Sequence, residues 1–155
     1  MSKAPAPEAI HHAQLGQKVY GVPACLTLAQ YALESGWGTS KLAVTQHNYF
    51  GQKDYPGSGY PYRIVISNEE IKGKLVPKES KFIVYPSLAE AFKHHCQRLS
   101  SPTGVYAYAN KYLKAKDWHG FLKAIAPKYS TSSDYYARVA ELIRLNHLEQ
   151  YNVTT

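Results

Sequence analysis

The chain has 155 residues, enough for one domain that buries about two-thirds of the surface of its unfolded chain. Its 18 Lys and Arg residues exceed its 11 Asp and Glu residues, and the formal net charge of +7 suits an anionic partner such as nucleic acid, an acidic membrane or a bacterial wall. The basic residues are scattered, which argues against a nucleic-acid-binding tail, and no stretch approaches the roughly 20 apolar residues of a membrane span.

The amino terminus is polar and Pro-rich, and residues 1–7 are predicted to form a flexible segment before a single domain over residues 8–151. The first residues have no apolar core of the length that a secretion signal needs, so the sequence does not indicate how the protein would be exported. Cys25 and Cys96 fall on apolar helix faces, a placement that favours two small buried thiols over a disulfide.

Two helices are predicted in the first part of the chain, over residues 8–20 and 23–35. Pro23 suits the first turn of the second helix, and Gly36 and Gly38 end it. Apolar or small residues then recur at helical spacing along one face. That face contains Leu26, Ala29, Gln30 and Leu33.

The middle of the chain is less regular. Residues 41–50 are predicted to form a short helix or a loop, and the prolines and glycines of residues 53–62 indicate a loop. Residues 63–67 and 80–85 are rich in β-branched and aromatic side chains, and a polar segment separates them. This pattern predicts a small antiparallel hairpin.

The last part of the chain is predicted to be helical. Ser87 and Glu90 form a capping box that begins one helix. Two shorter helices follow at residues 106–113 and 117–126, the second ended by the proline after it, and a last helix covers about residues 133–150. The fold class is therefore predicted to be mainly α with one small β-hairpin, an α+β domain of lysozyme-like architecture.

Glu34 is the residue with the clearest chemical potential. It lies in the last turn of the second predicted helix, at the negative end of the helix dipole and beside apolar neighbours. Both effects disfavour the charged form of a carboxylate, so the side chain would stay protonated near neutral pH and donate a proton. Trp37 adds an aromatic surface beside it; the alternative is a solvated glutamate at a helix end.

The motifs around Glu34 also support a family assignment. Residues 20–38 resemble the signature of the glucosaminidases of glycoside hydrolase family 73, the flagellar-rod-type and autolysin-type peptidoglycan hydrolases. Three later stretches agree with that family in the same order: His-Asn-Tyr-Phe-Gly at 47–51, Lys-Phe-Ile-Val-Tyr-Pro-Ser at 81–87, and the segment 129–139. The resemblance covers nearly the whole chain and implies the lysozyme-like fold.

The resemblance implies a second carboxylate in the hairpin. In family members it lies four residues before a glycine, and Gly73 puts Glu69 at that spacing, with Glu70 as the alternative. Either residue would be a base or an electrostatic stabiliser, and the competing interpretation is a charged hairpin tip that serves solubility. Hairpin closure over substrate would bring the carboxylate in, or the acetamido group of the sugar would replace it as nucleophile.

Other site residues are implied by the same resemblance. Tyr135, six residues after Tyr129, matches the functional tyrosine of the family, with Arg138 where a basic residue is usual and Tyr136 where alanine is common. Its hydroxyl would position the substrate or the attacking water; the alternative is that Tyr135 packs the last helix against the core. The residues implied to bind substrate are Trp37, Asn48, Tyr49 and Phe50.

The sequence therefore predicts a peptidoglycan hydrolase, an endo-β-N-acetylglucosaminidase that cleaves the glycan strand after N-acetylglucosamine with Glu34 as general acid. It would act as a monomer in the periplasm or on the cell wall, with no nucleic-acid partner and no membrane insertion. Neither a metal nor a cofactor is expected, because the adjacent histidine pairs lack the four-residue spacing of a helical zinc site. The alternatives are a lytic transglycosylase, a catalytically silent wall-binding module and a basic protein acting on nucleic acid.

Overall fold

The computed structural model describes residues 2–154. In this range the helices are α1 (Pro7–Tyr20), α2 (Ala24–Ser35), α3 (Lys41–Gln46), α4 (Leu88–Ser100), α5 (Asn110–Lys114), α6 (Trp118–Tyr129) and α7 (Tyr135–Leu145), and the strands are β1 (Tyr62–Ile71) and β2 (Lys74–Ile83). Short 3-10 turns precede α5, at Ala107–Ala109, and follow α7, at Leu148–Tyr151. The prediction of a mainly α domain with one hairpin is confirmed. Within residues 2–154, none of the helices is long and apolar enough to cross a membrane.

Helix α2 lies at the centre of the core. Its residues from Ala24 to Ala32 are all buried, and it packs against α1, α7 and the Leu148–Tyr151 turn. The sequence predicts one apolar face on this helix, whereas the structure encloses the helix on nearly all sides. Only the last turn, which carries the half-buried Leu33 and the exposed Glu34, reaches the surface. A carboxylate at that point is held by a rigid element.

Helices α1 and α4 pack closely through a small residue. A Cβ on Gly16 would lie 2.5 Å from the sulfur of Cys96, so only glycine fits at this crossing. Cys96 and Cys25 are both buried free thiols, which confirms the prediction that they do not form a disulfide. Glycine at position 16 therefore allows α1 and α4 to pack closely, although a glycine inside a helix lowers the stability of that helix.

The hairpin is much longer than predicted. Ten residues of each strand pair in antiparallel register, from Tyr62 opposite Ile83 to Ile71 opposite Lys74. Lys72 and Gly73 both have positive φ, as a two-residue hairpin turn of the tight, primed type requires. The segment expected to separate two short strands is itself strand, because main-chain pairing continues whatever the polarity of exposed side chains. Most of the hairpin is solvent-exposed, and β2 is buried mainly at its base.

Two predicted helix ends were also wrong. Helix α6 continues past Pro127 to Tyr129, because a proline near a helix end removes only one hydrogen bond while the following turn keeps its own, Ser130 N to Ala126 O at 3.0 Å. The last predicted helix is interrupted where His147 adopts a left-handed conformation with φ 53°. The chain then forms the Leu148–Tyr151 turn against α2.

The amino-terminal residues contact the body of the domain. Pro5 is buried, the Lys3 amide donates a hydrogen bond of 2.7 Å to the side-chain oxygen of Asn146, and Pro7 already belongs to α1. The ammonium group of Lys3 lies 5.4 Å from the centre of the Trp37 ring. The segment that was predicted to be flexible therefore runs beside Trp37.

Candidate active site

Glu34 is the next-to-last residue of α2, and the turn that follows it is sharply wound. Gly36 ends the helix in a left-handed conformation with its amide bonded to the Ala32 carbonyl. Trp37 and Gly38 also have positive φ, at 60° and 84°. Three consecutive left-handed residues turn the chain away from the helix axis, so the backbone does not cover the Glu34 carboxylate.

The conformation of Trp37 is held by its neighbours, since a left-handed non-glycine residue costs about 1–2 kcal/mol. Tyr31 donates its hydroxyl to the Trp37 carbonyl over 2.9 Å. Ser35 accepts a hydrogen bond of 2.8 Å from the Gly38 amide. A Cβ on Gly38 would lie 2.7 Å from the Tyr31 hydroxyl, so this position excludes larger residues. Strain maintained in this way is common where a side chain must be presented for function.

The environment of Glu34 favours its protonated form. Solvent reaches the side chain, yet the surrounding protein desolvates the carboxylate, and this burial raises the pKa of Glu34 above its ordinary value. The positive charge of Arg138 on α7 opposes the rise and is the smaller effect. The sequence suggested two causes, the helix dipole and burial beside apolar neighbours. Of these, burial accounts for the raised pKa of Glu34. A protonated carboxyl group is the form that a general acid needs.

The loop after α3 approaches Glu34 through a glycine. A Cβ on Gly51 would lie 3.7 Å from Oε2 of Glu34. Asn48 shapes this loop: its side-chain nitrogen donates to the carbonyls of Gln52 and Ile83, and its side-chain oxygen accepts from the Gln52 amide, all at 2.9 Å. Asn48 is buried and fully hydrogen-bonded, so in this conformation it holds the loop against the hairpin base and is unavailable to substrate.

The three aromatic residues predicted to bind the sugar differ in their exposure to solvent. Phe50 is 6% exposed and stacks on the His95 ring, with centroids 3.8 Å apart and planes 2° from parallel. Its faces are therefore committed to the core. Tyr49 is half-buried, with its ring 5.8 Å from that of Tyr31, and Trp37 is also half-buried. Trp37 and Tyr49 thus keep exposed aromatic surface beside the carboxylate, and Phe50 and Asn48 support the loop from beneath.

Tyr135 belongs to a buried polar network behind Glu34. Gln30 donates from its side-chain nitrogen to the Tyr135 hydroxyl over 3.1 Å, and its side-chain oxygen pairs with Nε2 of His95 at 2.8 Å. Tyr129 stacks on Tyr135 with ring centroids 5.3 Å apart. The network fixes the direction in which the Tyr135 hydroxyl points.

The groups of this network are uncharged at neutral pH. Burial lowers the pKa of His95 to about 3, and the adjacent His94 and the charge of Arg98 lower it further. Burial raises the pKa of Tyr135, and the nearby Glu34 carboxylate raises it further. The polar wall behind Glu34 therefore consists of neutral groups with their hydrogen bonds satisfied, which do not provide a counter-charge for an ionised Glu34.

Glu69 lies apart from Glu34 in this conformation. It is exposed on β1, near the hairpin turn, with its carboxylate 3.1 Å from the Lys78 ammonium. Among the described residues, only Arg138 contributes a charge that shifts the pKa of Glu34, so the hairpin carboxylates act on it weakly. Glu70 is the next residue of the strand and points to the opposite face of the hairpin. At most one of the two carboxylates can face the cleft.

The site includes residues that the sequence reading did not select. The sequence places Gln30 on an apolar helix face, and His95 belongs to one of the adjacent histidine pairs, at positions 94 and 95. A glutamine amid the apolar residues of a buried helix is a usable signal, because buried amides require partners. The partner itself, His95, is 65 residues away in the sequence and has no local signature.

The arrangement supplies one desolvated acid, an aromatic rim and a neutral, ordered phenol. This combination suits proton donation to an oxygen of a polar ring-shaped substrate that stacks on aromatic side chains. Within residues 2–154, no three His, Cys, Asp or Glu side chains come close enough together to hold a metal ion. The chemistry available from these residues is therefore acid catalysis with positioning.

Comparisons with known proteins agree on one family. A protein-family profile described as mannosyl-glycoprotein endo-beta-N-acetylglucosaminidase matches residues 10–148. The exo-glucosaminidase LytG of Bacillus subtilis is 30% identical over 145 residues, which cover 91% of this chain and 50% of LytG. A probable N-acetylmuramidase of Lactococcus lactis is 31% identical over 140 residues, covering 86% of this chain and 30% of that protein. The chain thus spans half or less of the length of these relatives.

Solved structures agree with this fold. The crystal structure of a mutant peptidoglycan hydrolase from Sphingomonas sp. A1 is similar with a TM-score of 0.73 and 27% identity, covering 92% of this chain and 93% of that chain. Because the match covers more than nine-tenths of both chains, the likeness extends over most of the domain. It confirms the predicted lysozyme-like fold class.

Proposed function

Because the chain belongs to the glucosaminidase family, we propose that it hydrolyses the glycan strands of bacterial peptidoglycan at the bond that follows N-acetylglucosamine. The observation that carries this proposal is the desolvated carboxyl of Glu34, held at the end of a buried helix beside Trp37 and Gly51. Relatives and structural neighbours named as glucosaminidase and peptidoglycan hydrolase support the choice of substrate.

In the proposed reaction, the protonated Glu34 donates its proton to the glycosidic oxygen as the bond to the anomeric carbon breaks. The leaving sugar departs as an alcohol, and water adds to the anomeric carbon with loss of a proton. Trp37 and Tyr49 hold the sugar rings through their exposed aromatic faces. Tyr135, oriented by Gln30, positions the acetamido group or the attacking water through its hydroxyl.

The second catalytic group is proposed to be Glu69, carried on the exposed hairpin. Its exposed position and its ion pair with Lys78 require the hairpin to close over bound substrate before Glu69 can act. The acetamido group of the substrate is the other route, because it can attack the anomeric carbon without a second carboxylate. Both routes, hairpin closure with Glu69 and attack by the acetamido group, are therefore tested below.

The net charge supports an encounter with the wall. A formal charge of +7 attracts the protein to anionic polymers and speeds association. We propose that the domain acts as a monomer in the periplasm or on the cell wall.

The decisive experiment is mass spectrometry of the fragments released from purified peptidoglycan by the wild type and by Glu34→Gln. We expect reducing N-acetylglucosamine ends from the wild type and a loss of at least about 100-fold in the variant, as for removal of a general acid. Glu141→Gln is the matched control, since Glu141 is exposed and paired with Arg144 on the outer surface of α7.

Other products would identify a different activity. Reducing N-acetylmuramic acid ends would make the protein a muramidase, as the name of the Lactococcus lactis relative suggests for that protein. Anhydro-muramyl ends would make it a lytic transglycosylase, which needs a single carboxylic acid. Release of no fragments by the wild type would overturn the enzymatic proposal and leave a wall-binding module.

A further inference from the structure

A cavity of about 360 Å³ lies beside the carboxy-terminal half of α4. One wall is a stripe of α4 and the residue that follows it, with His94, Gln97, Arg98 and Ser101 at helical spacing. The opposite walls are the ring of Tyr55 and the backbone around Gly104. The cavity is open to solvent, and its lining combines apolar surface with the polar side chains of α4.

Arg98 is the only charged side chain that lines this cavity. It is half-buried, and it forms no ion pair or hydrogen bond with any of residues 2–154. Its guanidinium lies over the Tyr55 ring, 4.6 Å from the centroid. Stacking of this kind uses the flat face of the guanidinium and leaves its N–H groups free at the edge. Those donors match the two oxygens of a carboxylate or of a similar oxyanion.

The neighbouring groups of the cavity leave the charge of Arg98 unopposed. His94 accepts or donates hydrogen bonds at both ring nitrogens, to Tyr55 at 2.8 Å and to Tyr85 at 2.6 Å. Burial, reinforced by the Arg98 charge, lowers the pKa of His94 to about 4, so it is neutral and fully occupied. Glu90 of α4 does not line the cavity, and its carboxylate accepts a hydrogen bond of 2.7 Å from the hydroxyl of Tyr60. An anion entering the cavity would therefore meet one free cation.

The cavity lies close to the catalytic cleft. Tyr106 directly follows the cavity residue Val105; burial raises the pKa of its phenol, and the charge of the nearby Arg98 partly offsets that rise. The Tyr106 ring is 6.1 Å from that of Tyr129, which stacks on Tyr135 beside Glu34. Two aromatic rings thus separate the cavity from the cleft.

We propose that this cavity is a subsite for the peptide stem of peptidoglycan, in which Arg98 binds a free carboxylate of the stem while the glycan lies in the cleft beside Glu34. The inference rests on the proposed function, because peptidoglycan carries peptides with free carboxylates on its glycan strands. Gln97, exposed at the rim of the cavity, is available to contact the peptide amides.

The test is a binding titration followed by NMR, with Glu34→Gln as the background so that ligands are not cleaved. The probes are the disaccharide of N-acetylmuramic acid and N-acetylglucosamine, the same disaccharide carrying its stem peptide, the free stem peptide, and inorganic phosphate. We expect the peptide-bearing disaccharide to bind about tenfold more tightly than the bare one, as one hydrogen bond to a charged group typically provides. Arg98→Gln should abolish that preference.

Two further variants distinguish the loss of the subsite from a loss of folding in Arg98→Gln. Gln97→Glu places a negative charge at the exposed rim and should also remove the preference by repelling the carboxylate. Lys93→Gln, exposed on the same helix but outside the cavity, loses the same charge as Arg98→Gln and should keep the preference.

Equal binding of the two disaccharides in the presence of Arg98, or equal loss in Arg98→Gln and Lys93→Gln, would overturn the subsite. Binding of phosphate as tight as that of the peptide would replace it with an unselective anion site. Arg98-dependent binding of the free peptide without any binding of the disaccharides would support the cavity and overturn the proposed glycan cleavage.

Discussion

A methyl group placed on Gly51 would lie 3.7 Å from the Oε2 oxygen of Glu34, so the helix-end acid and the loop after α3 meet with no side chain between them. The loop backbone forms one wall of the space around the carboxylate. The same proximity contributes to the desolvation that raises the pKa of Glu34. Each element of the site can be tested by a substitution beside a matched control.

Gly51→Ala should impair both stability and catalysis. Gly51 has φ 65°, a conformation that costs a non-glycine residue about 1–2 kcal/mol, and the new methyl group would lie in van der Waals contact with the Glu34 carboxylate. Gly57→Ala is the control, because Gly57 has φ 85° and no atom would meet its Cβ within 4 Å. We expect a similar loss in the free energy of unfolding for both variants and a fall in kcat only for Gly51→Ala. An equal fall in kcat for Gly57→Ala would show that strain alone is responsible.

Arg138→Gln should move the pH dependence of activity upward. The Arg138 charge lowers the pKa of Glu34, so its removal raises that pKa further. A general acid works in its protonated form, and the alkaline limb of kcat/KM should therefore shift to higher pH. Arg144→Gln, whose parent side chain pairs with Glu141, should leave the limb in place. A shift to lower pH in Arg138→Gln would exclude Glu34 as the titrating acid.

Tyr135→Phe should destabilise the protein by about 1–3 kcal/mol, because it leaves the buried side-chain nitrogen of Gln30 without its acceptor. Activity should also fall, since the hydroxyl is the proposed positioning group. Tyr136→Phe is the control: its hydroxyl lies 3.3 Å from His119 in an exposed contact, and its loss should change stability by less than about 0.5 kcal/mol. Urea unfolding and reducing-end release measure the two effects. Equal stability of both variants would contradict the proposed hydrogen-bond network.

Glu69→Gln should lower kcat, while Glu70→Gln should leave it unchanged. The two residues are adjacent on β1 and point to opposite faces of the hairpin, so closure brings only one of them over the substrate. Neither substitution should alter stability by more than about 1 kcal/mol, since the Glu69–Lys78 ion pair is exposed. Full activity of both variants would favour the acetamido group as nucleophile. Loss of activity in Glu70→Gln alone would reverse the assignment.

Local signals in the sequence predicted a large part of the fold. Ser87 and Asp117 accept hydrogen bonds from amides three residues later, at 3.1 and 2.9 Å, as their positions before helical segments indicated. Gly36 ends α2 in a left-handed conformation, which follows from the freedom of glycine. The family motifs are also local, and they correctly indicated the family. In each case, the determining interactions connect residues close together in the chain.

Long-range packing decided the features that local sequence signals did not predict, namely the length of the hairpin and the environments of two motif residues. The length of the hairpin depends on pairing between two strands, and the sequence shows only the side chains of each one. Asn48 and Phe50 match a motif, yet the structure buries the first against Ile83 and the second against His95. A motif identifies which residues occur together but does not say which ones support the site and which ones face the substrate.

The sequence by itself determined the family, the helical character of the domain and the position of Glu34 at the end of a helix, because each depends on short-range pattern. Only the tertiary structure decided that burial outweighs Arg138 in raising the pKa of Glu34, and that Gln30 joins Tyr135 to His95. Desolvation and the satisfaction of buried polar groups depend on atoms contributed by distant parts of the chain, and these are brought together only when the chain folds.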